Sequence, residues 1–510
     1  MEMNEKSKIA SFVNSRIWFG CKIVLLLAQL VASVMLLVSI FQTGIVGGLA
    51  LVLIILALVA FMALNVVVLM VRKKTSAPVQ IFYCVLSAIV TGVCIFAMRY
   101  TGAFNGFLDK VTEKKSELVE YSVIVRDKSE IKEVSELLHK SVGFLKTDPK
   151  AGNAEKFLKT QVNYDATLYD DIDTLIDAMY GMVSDAITME TDRMNTLKED
   201  ESSKLNESRV IYTFKIEIND DTVEASEKEL NKEPFIVYIS GSDSREGIRA
   251  VARSDVNILA VVNPEEAKIL LVSIPRDMYV QLHNTTGLKD KLTHAGIYGI
   301  KRSVETIEDF LGIDIDHTIK VSFDTVVRVV DQLDGIDIDS DTAMTLRAQN
   351  GKTCNYIVGT QHVDGDCALR FARERKSYET GDRHRGENQQ AVITAIINKL
   401  SGSKSYLLKA PEILNIAADS FETSLSRDSI TSFIRMQLQE PKNWQVESIS
   451  VNGTGDMQPT YSMGASLPLY VMIPDETTVL QAKNKIDEYL GKSSEIINDQ
   501  EETNDKSGQN

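Results

Sequence analysis

Residues 253–277 read RSDVNILAVVNPEEAKILLVSIPRD, and this stretch decides the class of fold. Its two aliphatic, β-branched runs, Val256 to Val262 and Lys268 to Ile274, are typical of strands. Asn263-Pro264 predicts the turn between them. Arg and Asp flank both runs, and functional sites are usually built at strand ends and in loops. The stretch therefore predicts a sheet with charged chemistry at the ends of its strands.

Strand and helix patterns continue on both sides of this stretch. The predicted strands are Phe235 to Ile239, Thr318 to Val321, Ile336 to Ile338 and Tyr470 to Ile473. Apolar residues at helical spacing predict helices at Arg302 to Leu311, Asp324 to Leu333, Asp366 to Arg373 and His384 to Leu400. Strands mixed with helices imply a sheet that is covered on both faces. We predict one α/β domain with a mixed sheet over residues 233–491.

An accessory α/β unit is predicted before it, at residues 107–232. Its strands are Leu118 to Val125 and Arg209 to Ile218, and its helical patterns are Ile131 to Leu138 and Leu168 to Met179. The polar stretch Thr188 to Ser208 predicts a solvated helix end and loop. The acidic group Asp170, Asp171 and Asp173 favours a helix start over a metal site. We find no catalytic constellation in this unit.

The N-terminal part of the chain is predicted to cross a membrane. Ile23 to Val71 and Thr75 to Met98 contain no charged residue. A spanning helix needs about 20 apolar residues, so the first run holds two spans and the second holds one. A cleaved signal peptide is shorter than this. We predict a cytoplasmic N-terminus at residues 1–16 and three transmembrane helices within residues 17–100.

Basic residues beside the spans predict their orientation. Lys6, Lys8, Arg16 and Lys22 precede the first span, and residues 72–74 read RKK between the second and third. Positively charged flanks stay in the cytoplasm. Everything after Tyr100 is therefore expected outside, where a disulfide between Cys354 and Cys367 is permitted. The sequence leaves that disulfide open.

The composition excludes a protein that binds nucleic acid through its overall charge. The chain has 510 residues, of which 44% are hydrophobic, and its net charge is -16. At about 150 residues per domain, three or so units are expected. Such an acidic chain has no general footprint for nucleic acid, so phosphate binding must come from a local Arg cluster. Residues 492–510 are acidic and almost free of apolar residues, which predicts a disordered tail.

Four groups of Arg and Asp supply such a cluster. They are Gly241-Ser242-Asp243-Ser244-Arg245, Arg253-Ser254-Asp255, Ile274-Pro275-Arg276-Asp277, and Arg373-Glu374-Arg375 leading to Gly381-Asp382, Arg385 and Gln389. Arg385 and Gln389 share one face near a helix N-terminus, which favours an anion. Arg fits phosphate oxygens two at a time, and transfer at phosphorus needs clamping and charge neutralisation.

Taken singly, each group is more often a surface ion pair of little consequence. Lys291 could bind phosphate or merely start a helix. His294 and His362 lack the spacing of a zinc site and favour structural roles. The order of the groups along the chain favours a functional site over these structural roles.

That order resembles the LytR-CpsA-Psr family over about Pro234 to Gly402. The likeness rests on the four groups together with Asn263-Pro264, Lys291-Leu292, His294-Ala295, Tyr298-Gly299, Val330-Asp331, Asp364-Gly365 and Ala368-Leu369. Three spans followed by an accessory domain look most like the capsule-associated CpsA branch. Two departures are Asn388, where the family has Arg, and Asp334 in place of the first of two paired glycines.

The resemblance implies an α/β/α sandwich and a phosphotransferase. Such enzymes attach a wall or capsular glycopolymer from a polyprenyl-pyrophosphate carrier to peptidoglycan, with Mg²⁺ or Mn²⁺. It implies a cell-membrane protein of a Gram-positive bacterium, with membrane lipid and capsule-assembly membrane proteins as further partners and no nucleic acid. The implied catalytic residues are Asp243, Asp255, Arg276, Arg373, Arg375 and Arg385, with Arg253, Asp382 and Gln389 binding substrate. Lys291 is a further candidate for binding the substrate phosphate, from its own chemistry.

Roles follow from the chemistry of these side chains. Arg276, Arg373, Arg375 and Arg385 are expected to grip the pyrophosphate, and Asp243 and Asp255 are the metal or base candidates. The apolar face of Ala391 to Ile397 and the strand Val256 to Val262 could enclose the polyprenyl tail. Two alternatives stay open: a hydrolase that only cleaves the carrier, and a non-catalytic receptor for lipid-linked glycan.

Overall fold

The computed structural model describes residues 16–71, 76–113, 116–218, 226–242, 253–402 and 421–492. These residues form two compact units. The membrane unit holds the N-terminal helices together with residues 426–442, and the outer unit holds the rest. Asp243 and most of the acidic tail lie outside the described residues.

The elements are numbered along the chain. The helices are α1 (Arg16–Thr43), α2 (Gly48–Val66), α3 (Ala77–Thr112), α4 (Ala151–Gln161), α5 (Ile172–Tyr180), α6 (Thr191–Lys198), α7 (Leu292–Ala295), α8 (Ile300–Leu311), α9 (Phe323–Gln332), α10 (Gly365–Ala372), α11 (Asp382–Ser401), α12 (Arg427–Gln439) and α13 (Glu476–Tyr489).

The strands are β1 (Glu117–Arg126), β2 (Ser141–Leu145), β3 (Asp165–Tyr169), β4 (Ala186–Glu190), β5 (Ser208–Ile218), β6 (Phe235–Ser242), β7 (Val256–Asn263), β8 (Lys268–Ser273), β9 (Tyr279–Val280), β10 (Asp290–Lys291), β11 (His317–Ser322), β12 (Ile336–Ser340), β13 (Met344–Arg347), β14 (Thr353–Tyr356), β15 (Gly359–Val363), β16 (Phe421–Thr423), β17 (Gln445–Ser450), β18 (Gly453–Thr460) and β19 (Gly464–Pro474).

The membrane unit contains the three predicted apolar helices. Helix α1, helix α2 with its π-helical extension to Val71, and helix α3 are 28, 24 and 36 residues long, enough to cross a bilayer. Helix α3 continues to Thr112, past the predicted end of the third span. Helix α12 joins this unit because Arg427 donates to the backbone oxygen of Gln42 at 3.3 Å, and Arg435 contacts that of Gly44.

A six-stranded mixed sheet organises the larger part of the outer unit. Its order is β16-β11-β6-β7-β8-β17. Strand β7 is antiparallel to both β6 and β8, whereas β11 and β17 run parallel to their neighbours β6 and β8. The predicted strands at 235–239, 256–262, 268–274 and 318–321 are all present. Strand β7 is buried along its whole length, which explains why it is apolar except for Asn257 and Asn263.

Helices cover this sheet on both faces. On one face, Leu259 and Leu270 pack in a core with Ile307 of α8 and Ile486 of α13. Fully burying each such side chain contributes about 1.5–3 kcal/mol. On the other face, α11 lies close to β8, and a Cβ at Gly386 would come within 2.6 Å of the Ser273 Oγ. The domain is thus an α/β/α sandwich, as expected.

The accessory part of the outer unit has a five-stranded sheet of order β3-β2-β4-β1-β5. Within it, the helix predicted at Ile131 to Leu138 was wrong, and the helix predicted at Leu168 to Met179 is present but begins later. Ile131 to Leu138 contains only a 3₁₀ turn at Val134–Leu137, in which the residues packed on the core, Ile131, Val134 and Leu137, recur at the three-residue period of that helix. Leu168 begins in strand β3, and helix α5 starts only at Ile172, where Asp171 caps it by accepting from Thr174 N at 2.8 Å.

The stretch Thr188 to Ser208 is also not a solvated loop. It forms the end of β4 and helix α6, whose residues Arg193, Met194 and Leu197 are buried. These residues are buried because α6 packs against the β18–β19 hairpin: Met194 shares a core cluster with Met463 and Leu467. The accessory and sandwich parts therefore share one hydrophobic core.

Arg193 is the polar centre of that shared core. It is 1% exposed and lies 2.8 Å from the Glu190 carboxylate, and it donates to Ser462 O at 3.4 Å and Tyr298 Oη at 3.3 Å. Burial raises the pKa of Glu190 from 4.5 to about 7, although Arg193 opposes the shift. The folded carboxyl thus holds its proton more tightly than the unfolded one, so this group's contribution to stability falls as the pH rises from about 4.5 to 7.

We predict that Arg193→Ala lowers the free energy of unfolding by about 3–5 kcal/mol, because it leaves the buried Glu190 carboxyl group without its cationic partner. Without Arg193 the Glu190 pKa should rise further, so the loss of stability should continue above pH 7. The control is Lys146→Ala, which breaks an exposed ion pair with Asp170 and should leave the stability nearly unchanged. Denaturant unfolding at several pH values measures both. Equal losses in the two variants would contradict the buried role.

Candidate active site

A cavity of about 710 Å³ opens at the ends of β7 and β8 and between α9, α10 and α11. Its lining is dominated by charged side chains. The lining residues are Asp255, Arg276, Phe323, Asp324, Val327, Arg328, Arg347, Gln349, Asp366, Leu369, Arg370, Arg373, Glu374, Arg375, Lys376, Arg385 and Gln389. Eight are cationic and four are acidic, in a chain whose net charge is -16. Six of the ten predicted site residues are among them.

Asp255 and Arg276 form the floor of this cavity. Asp255 immediately precedes β7 and Arg276 follows β8, and the antiparallel pairing of the two strands brings them together. Arg276 Nη1 donates to Asp255 Oδ1 at 2.8 Å, and its Nε lies 3.6 Å from Asp277 Oδ2. Burial lowers the pKa of Arg276, but Asp255 and Asp277 outweigh it and hold that pKa above its ordinary value. Arg276 therefore stays charged.

Arg373 and Arg375 come from the turn after α10. The Arg373 guanidinium lies over the Phe323 ring, with its Cζ 4.7 Å from the ring centroid, a cation–π contact that helps to position the cation. Arg375 is exposed at the cavity edge. Between them, Glu374 is buried and accepts from Ser377 N at 2.8 Å and from Arg370 Nη2 at 2.5 Å. Glu374 thus holds the turn that presents the two arginines.

Arg385 and Gln389 reach the cavity from the first turns of α11. Arg385 Nη2 lies 2.9 Å from Asp382 Oδ1. Burial raises the pKa of Asp382, with Arg385 opposing, and burial lowers the pKa of Arg385, with Asp382 opposing and Arg276 adding to the fall. Asp382 does not line the main cavity but lines a smaller pocket with Asp255 and Gln389. It serves as the counter-charge of Arg385.

Two neighbours of Gln389 fix helix α11 in place. Gln390 is buried and its Nε2 donates to Leu271 O at 3.0 Å and to Ile449 O at 2.7 Å. Asn388 is buried beside the turn that carries Arg373 and Arg375, which we call the arginine turn. Its Nδ2 donates to Phe371 O at 3.1 Å and to Tyr378 Oη at 3.2 Å. At this departure from the family pattern, Asn388 therefore contacts the scaffold and does not line the cavity.

Two predicted site residues lie elsewhere, and a third is outside the described residues. Arg253 Nε is 3.5 Å from Asp192 Oδ2 of helix α6, so it contacts the accessory part. Lys291 Nζ donates to Asp277 Oδ1 at 3.0 Å and is absent from the lining of the main cavity. Asp243 lies outside the described residues. The predicted roles of these three residues remain predictions.

Sequence reasoning missed Arg328, Arg347, Arg370 and Lys376, which also line the cavity. Arg328 is on α9 and Arg347 is on β13, and neither residue belongs to a motif. Arg370 and Lys376 lie close in sequence to the Arg373–Arg375 group, which was the usable signal for these two residues.

A disulfide fixes the hairpin that carries Arg347. Cys354 of β14 and Cys367 of α10 are bonded, with their Cα atoms 5.6 Å apart. Arg370 Nε also donates to Arg347 O at 3.1 Å. The bond left open by the sequence thus ties the β13–β14 hairpin to the helix that leads into the arginine turn.

Within the described ranges, no group of three or more His, Cys, Asp or Glu side chains is arranged to hold a metal ion. His294 is buried, with Nδ1 2.6 Å from Asp290 Oδ1 and 2.9 Å from Ser462 Oγ, and His362 pairs with Asp337 at 2.8 Å. Each of these two histidines thus contacts an aspartate of the surrounding scaffold. Asp255 remains available, and Mg²⁺ at phosphate sites usually needs only one or two carboxylates plus substrate oxygens.

The apolar lining of the cavity is limited to Phe323, Val327 and Leu369. The predicted polyprenyl slot along β7 is not among the described cavities, since β7 is fully buried. Ile393, Ile396 and Ile397 on α11 remain partly exposed. The slot stays a prediction.

With this geometry in hand, comparison with known proteins identifies the family. A family model described as LytR_cpsA_psr family matches residues 180–484, more than half of the chain. The chain belongs to the LytR_cpsA_psr family. The match begins inside the accessory part and extends to α13, and so is wider than the stretch that carries the motifs.

Similar proteins of the LytR_cpsA_psr type include a polyisoprenyl-teichoic acid–peptidoglycan teichoic acid transferase TagU from Halalkalibacterium halodurans. It is 33% identical over 225 residues, which cover 44% of this chain and 71% of that protein. TagV of Bacillus subtilis is 30% identical over 268 residues, 51% of this chain and 66% of that one. Its crystal structure covers 51% of this chain with a TM-score of 0.43 and 28% identity, and that chain is covered over 98% of its length.

Asn388 and Gln389 offer a matched test of scaffold against site. Asn388→Ala leaves the Phe371 carbonyl and the Tyr378 hydroxyl without this buried partner, so we expect the free energy of unfolding to fall by about 1–3 kcal/mol. Gln389→Ala should change stability by less than about 0.5 kcal/mol, because Gln389 faces the cavity. Thermal melting of both variants measures the difference. A Gln389 variant as unstable as the Asn388 variant would contradict this assignment.

Proposed function

We propose that this protein transfers a glycopolymer from a polyprenyl-pyrophosphate carrier to peptidoglycan, forming a phosphodiester. One observation carries the proposal: three guanidinium groups, those of Arg276, Arg373 and Arg385, converge on one cavity whose floor also holds Asp255. The naming of relatives in this family as teichoic acid–peptidoglycan transferases supports the same reaction class.

The protein contributes to this reaction mainly by holding the phosphate groups and stabilising their charge, and less by covalent catalysis. An acceptor hydroxyl attacks the phosphorus that bears the glycan; a new P–O bond forms, the P–O–P bridge breaks, and polyprenyl monophosphate leaves. Arginine forks stabilise the charge that develops on the phosphate oxygens. Arg373, in cation–π contact with Phe323, and Arg385, paired with Asp382 on α11, are preorganised for this task.

The hydroxyl proton requires a base, and Asp255 is the described candidate. In the structure it accepts a hydrogen bond from Arg276. Phosphate oxygens that recruit Arg276 would weaken that bond and expose the carboxylate. A bound Mg²⁺ would neutralise charge on the phosphates, and Asp255, with Asp243 as the second candidate, would hold it.

We place the reaction on the outer face of the membrane, with the N-terminus in the cytoplasm. The Cys354–Cys367 disulfide supports this placement, because such bonds persist in oxidising compartments. A capsular polymer as donor, and capsule-assembly proteins as partners, belong to the same proposal.

The test uses the full chain in detergent with a radiolabelled lipid-linked donor and peptidoglycan. Transfer predicts labelled peptidoglycan. Labelled glycan phosphate free in solution would indicate the hydrolase, and a bound but unchanged donor would indicate the receptor; either would overturn the proposal.

We predict that Arg276→Lys lowers the rate of transfer about 100-fold, because Lys keeps the charge but loses the two-pronged fork. The control is Arg383→Lys on the exposed side of α11, which should leave the rate unchanged. Initial rates with saturating acceptor measure both. A fully active Arg276→Lys enzyme would reduce Arg276 to a structural ion-pair partner of Asp255.

Removing the metal and removing its carboxylate should have the same effect. We expect EDTA to abolish transfer, Mg²⁺ to restore it, and Asp255→Asn to be inactive at every Mg²⁺ concentration while its melting temperature stays within a few degrees of wild type. Full activity in EDTA would disprove the metal role. A sharp fall in the melting temperature of Asp255→Asn would favour a purely structural ion pair.

A further inference from the structure

Helix α12 has the reverse of the polarity expected for a helix packed on a protein core. Its buried residues are Thr431 and Gln437, and both are polar. A helix on a soluble core buries its apolar residues and exposes its polar ones. The reversed pattern predicts an apolar partner for the apolar side chains of α12. All five of these are partly exposed: Ile430, Phe433, Ile434, Met436 and Leu438.

The polar side of α12 is bonded to the loop between the first two spans. Arg427 donates to Gln42 O at 3.3 Å, and Arg435 donates to Gly44 O. Thr431 packs on the same loop, since a Cβ at Gly44 would lie 3.4 Å from its Cγ2. Arg427, Thr431 and Arg435 follow one another at intervals of four residues, so they share one face of the helix. Helix α12 is therefore fixed on the α1–α2 loop by this polar face.

The length of α1 gives the level of this loop in a bilayer. The 19 residues between Lys22 and Gln42 carry no charge. At about 1.5 Å per residue they span about 30 Å, which is the thickness of the hydrocarbon core. Phe41 and Leu49, on either side of the loop, are 77% and 75% exposed, so the apolar outer surface of the spans extends to the loop. The loop, and α12 on it, thus lie where the hydrocarbon core meets the headgroups.

We propose that α12 is an interfacial helix, whose apolar side chains contact the phospholipids of the leaflet at the α1–α2 end of the spans. Ile430, Ile434 and Leu438 recur at intervals of four residues and would enter the boundary between headgroups and acyl chains. The partner is the lipid surface, because the lipid-facing surface of the spans continues through Phe41 and Leu49 to the loop that holds α12. This inference does not rest on the proposed function.

The place of α12 in the chain gives this contact a consequence. The chain enters α12 from β16 and leaves it towards β17, and both strands belong to the six-stranded sheet. Helix α3 leads separately into β1 of the accessory sheet. Contact of α12 with lipid would therefore give the outer unit a membrane attachment besides α3.

Spin-label depth measurement tests the proposal, with the full chain in nanodiscs of phosphatidylcholine and phosphatidylglycerol. Single labels are placed at Ile434→Cys and, one turn further, at Leu438→Cys. We expect both labels about 5–10 Å inside the headgroup boundary, where they are more accessible to oxygen than to an aqueous nickel chelate. The disulfide-bonded cysteines do not react with the label. The free cysteines are first replaced by Ala: Cys21, Cys84 and Cys94.

Two control positions calibrate the measurement. Asp428→Cys, exposed on α12 itself, should favour the nickel chelate, and Phe41→Cys, on the lipid-facing surface of α1, should favour oxygen and show that the spans are inserted. A label at Ile434→Cys or Leu438→Cys that favours the chelate would place α12 in water, and a label shielded from both reagents would place it under protein. Either result would overturn the proposal. The readout involves no turnover, so a failure of transfer leaves it unchanged.

Discussion

The structure depends on holding mutually repelling guanidinium groups around one cavity. An acidic chain concentrates eight cationic side chains there. Their repulsion is offset by a few placed acceptors, of which the Asp255 carboxylate beside Arg276 and the buried Glu374 beside Arg370 are the clearest. Because a buried or half-buried charge must be paired, each acceptor also fixes a segment of chain. The arrangement of the charges and the local fold therefore depend on each other.

Most of the scaffold serves this arrangement. Gln390 pins α11 to β8 and β17, Gly386 allows that helix to approach the sheet, and Asn388 fastens the arginine turn. The accessory part contributes as well, since it shares a hydrophobic core with the β18–β19 hairpin and places Asp192 against Arg253. An accessory domain that shares its core cannot move independently, so we expect it to position the site and not merely to link it to the spans.

The sequence predicted the ends of the central strands within one to three residues, because buried strands such as β7 need mostly apolar runs that few other structures tolerate. It also brought Asp255, Arg276, Arg373 and Arg385 together correctly, because the family motifs order them. It did not predict the polar edge strand β17, since only pairing with β8 makes those residues a strand. Arg328 and Arg347 were missed for the same reason: tertiary packing alone carries them to the cavity. The buried Arg193 shows the limit most plainly, because a charged residue in a polar stretch is normally a surface residue.

The central claim is that Arg276, Arg373 and Arg385 bind the pyrophosphate. The most direct measurement is an experimental structure of the full chain with geranyl pyrophosphate. Our account predicts both phosphorus atoms inside the cavity, with phosphate oxygens within hydrogen-bonding distance of the guanidinium groups of Arg276, Arg373 and Arg385. A pyrophosphate bound outside the cavity, without contact to any of these three arginines, would contradict the account.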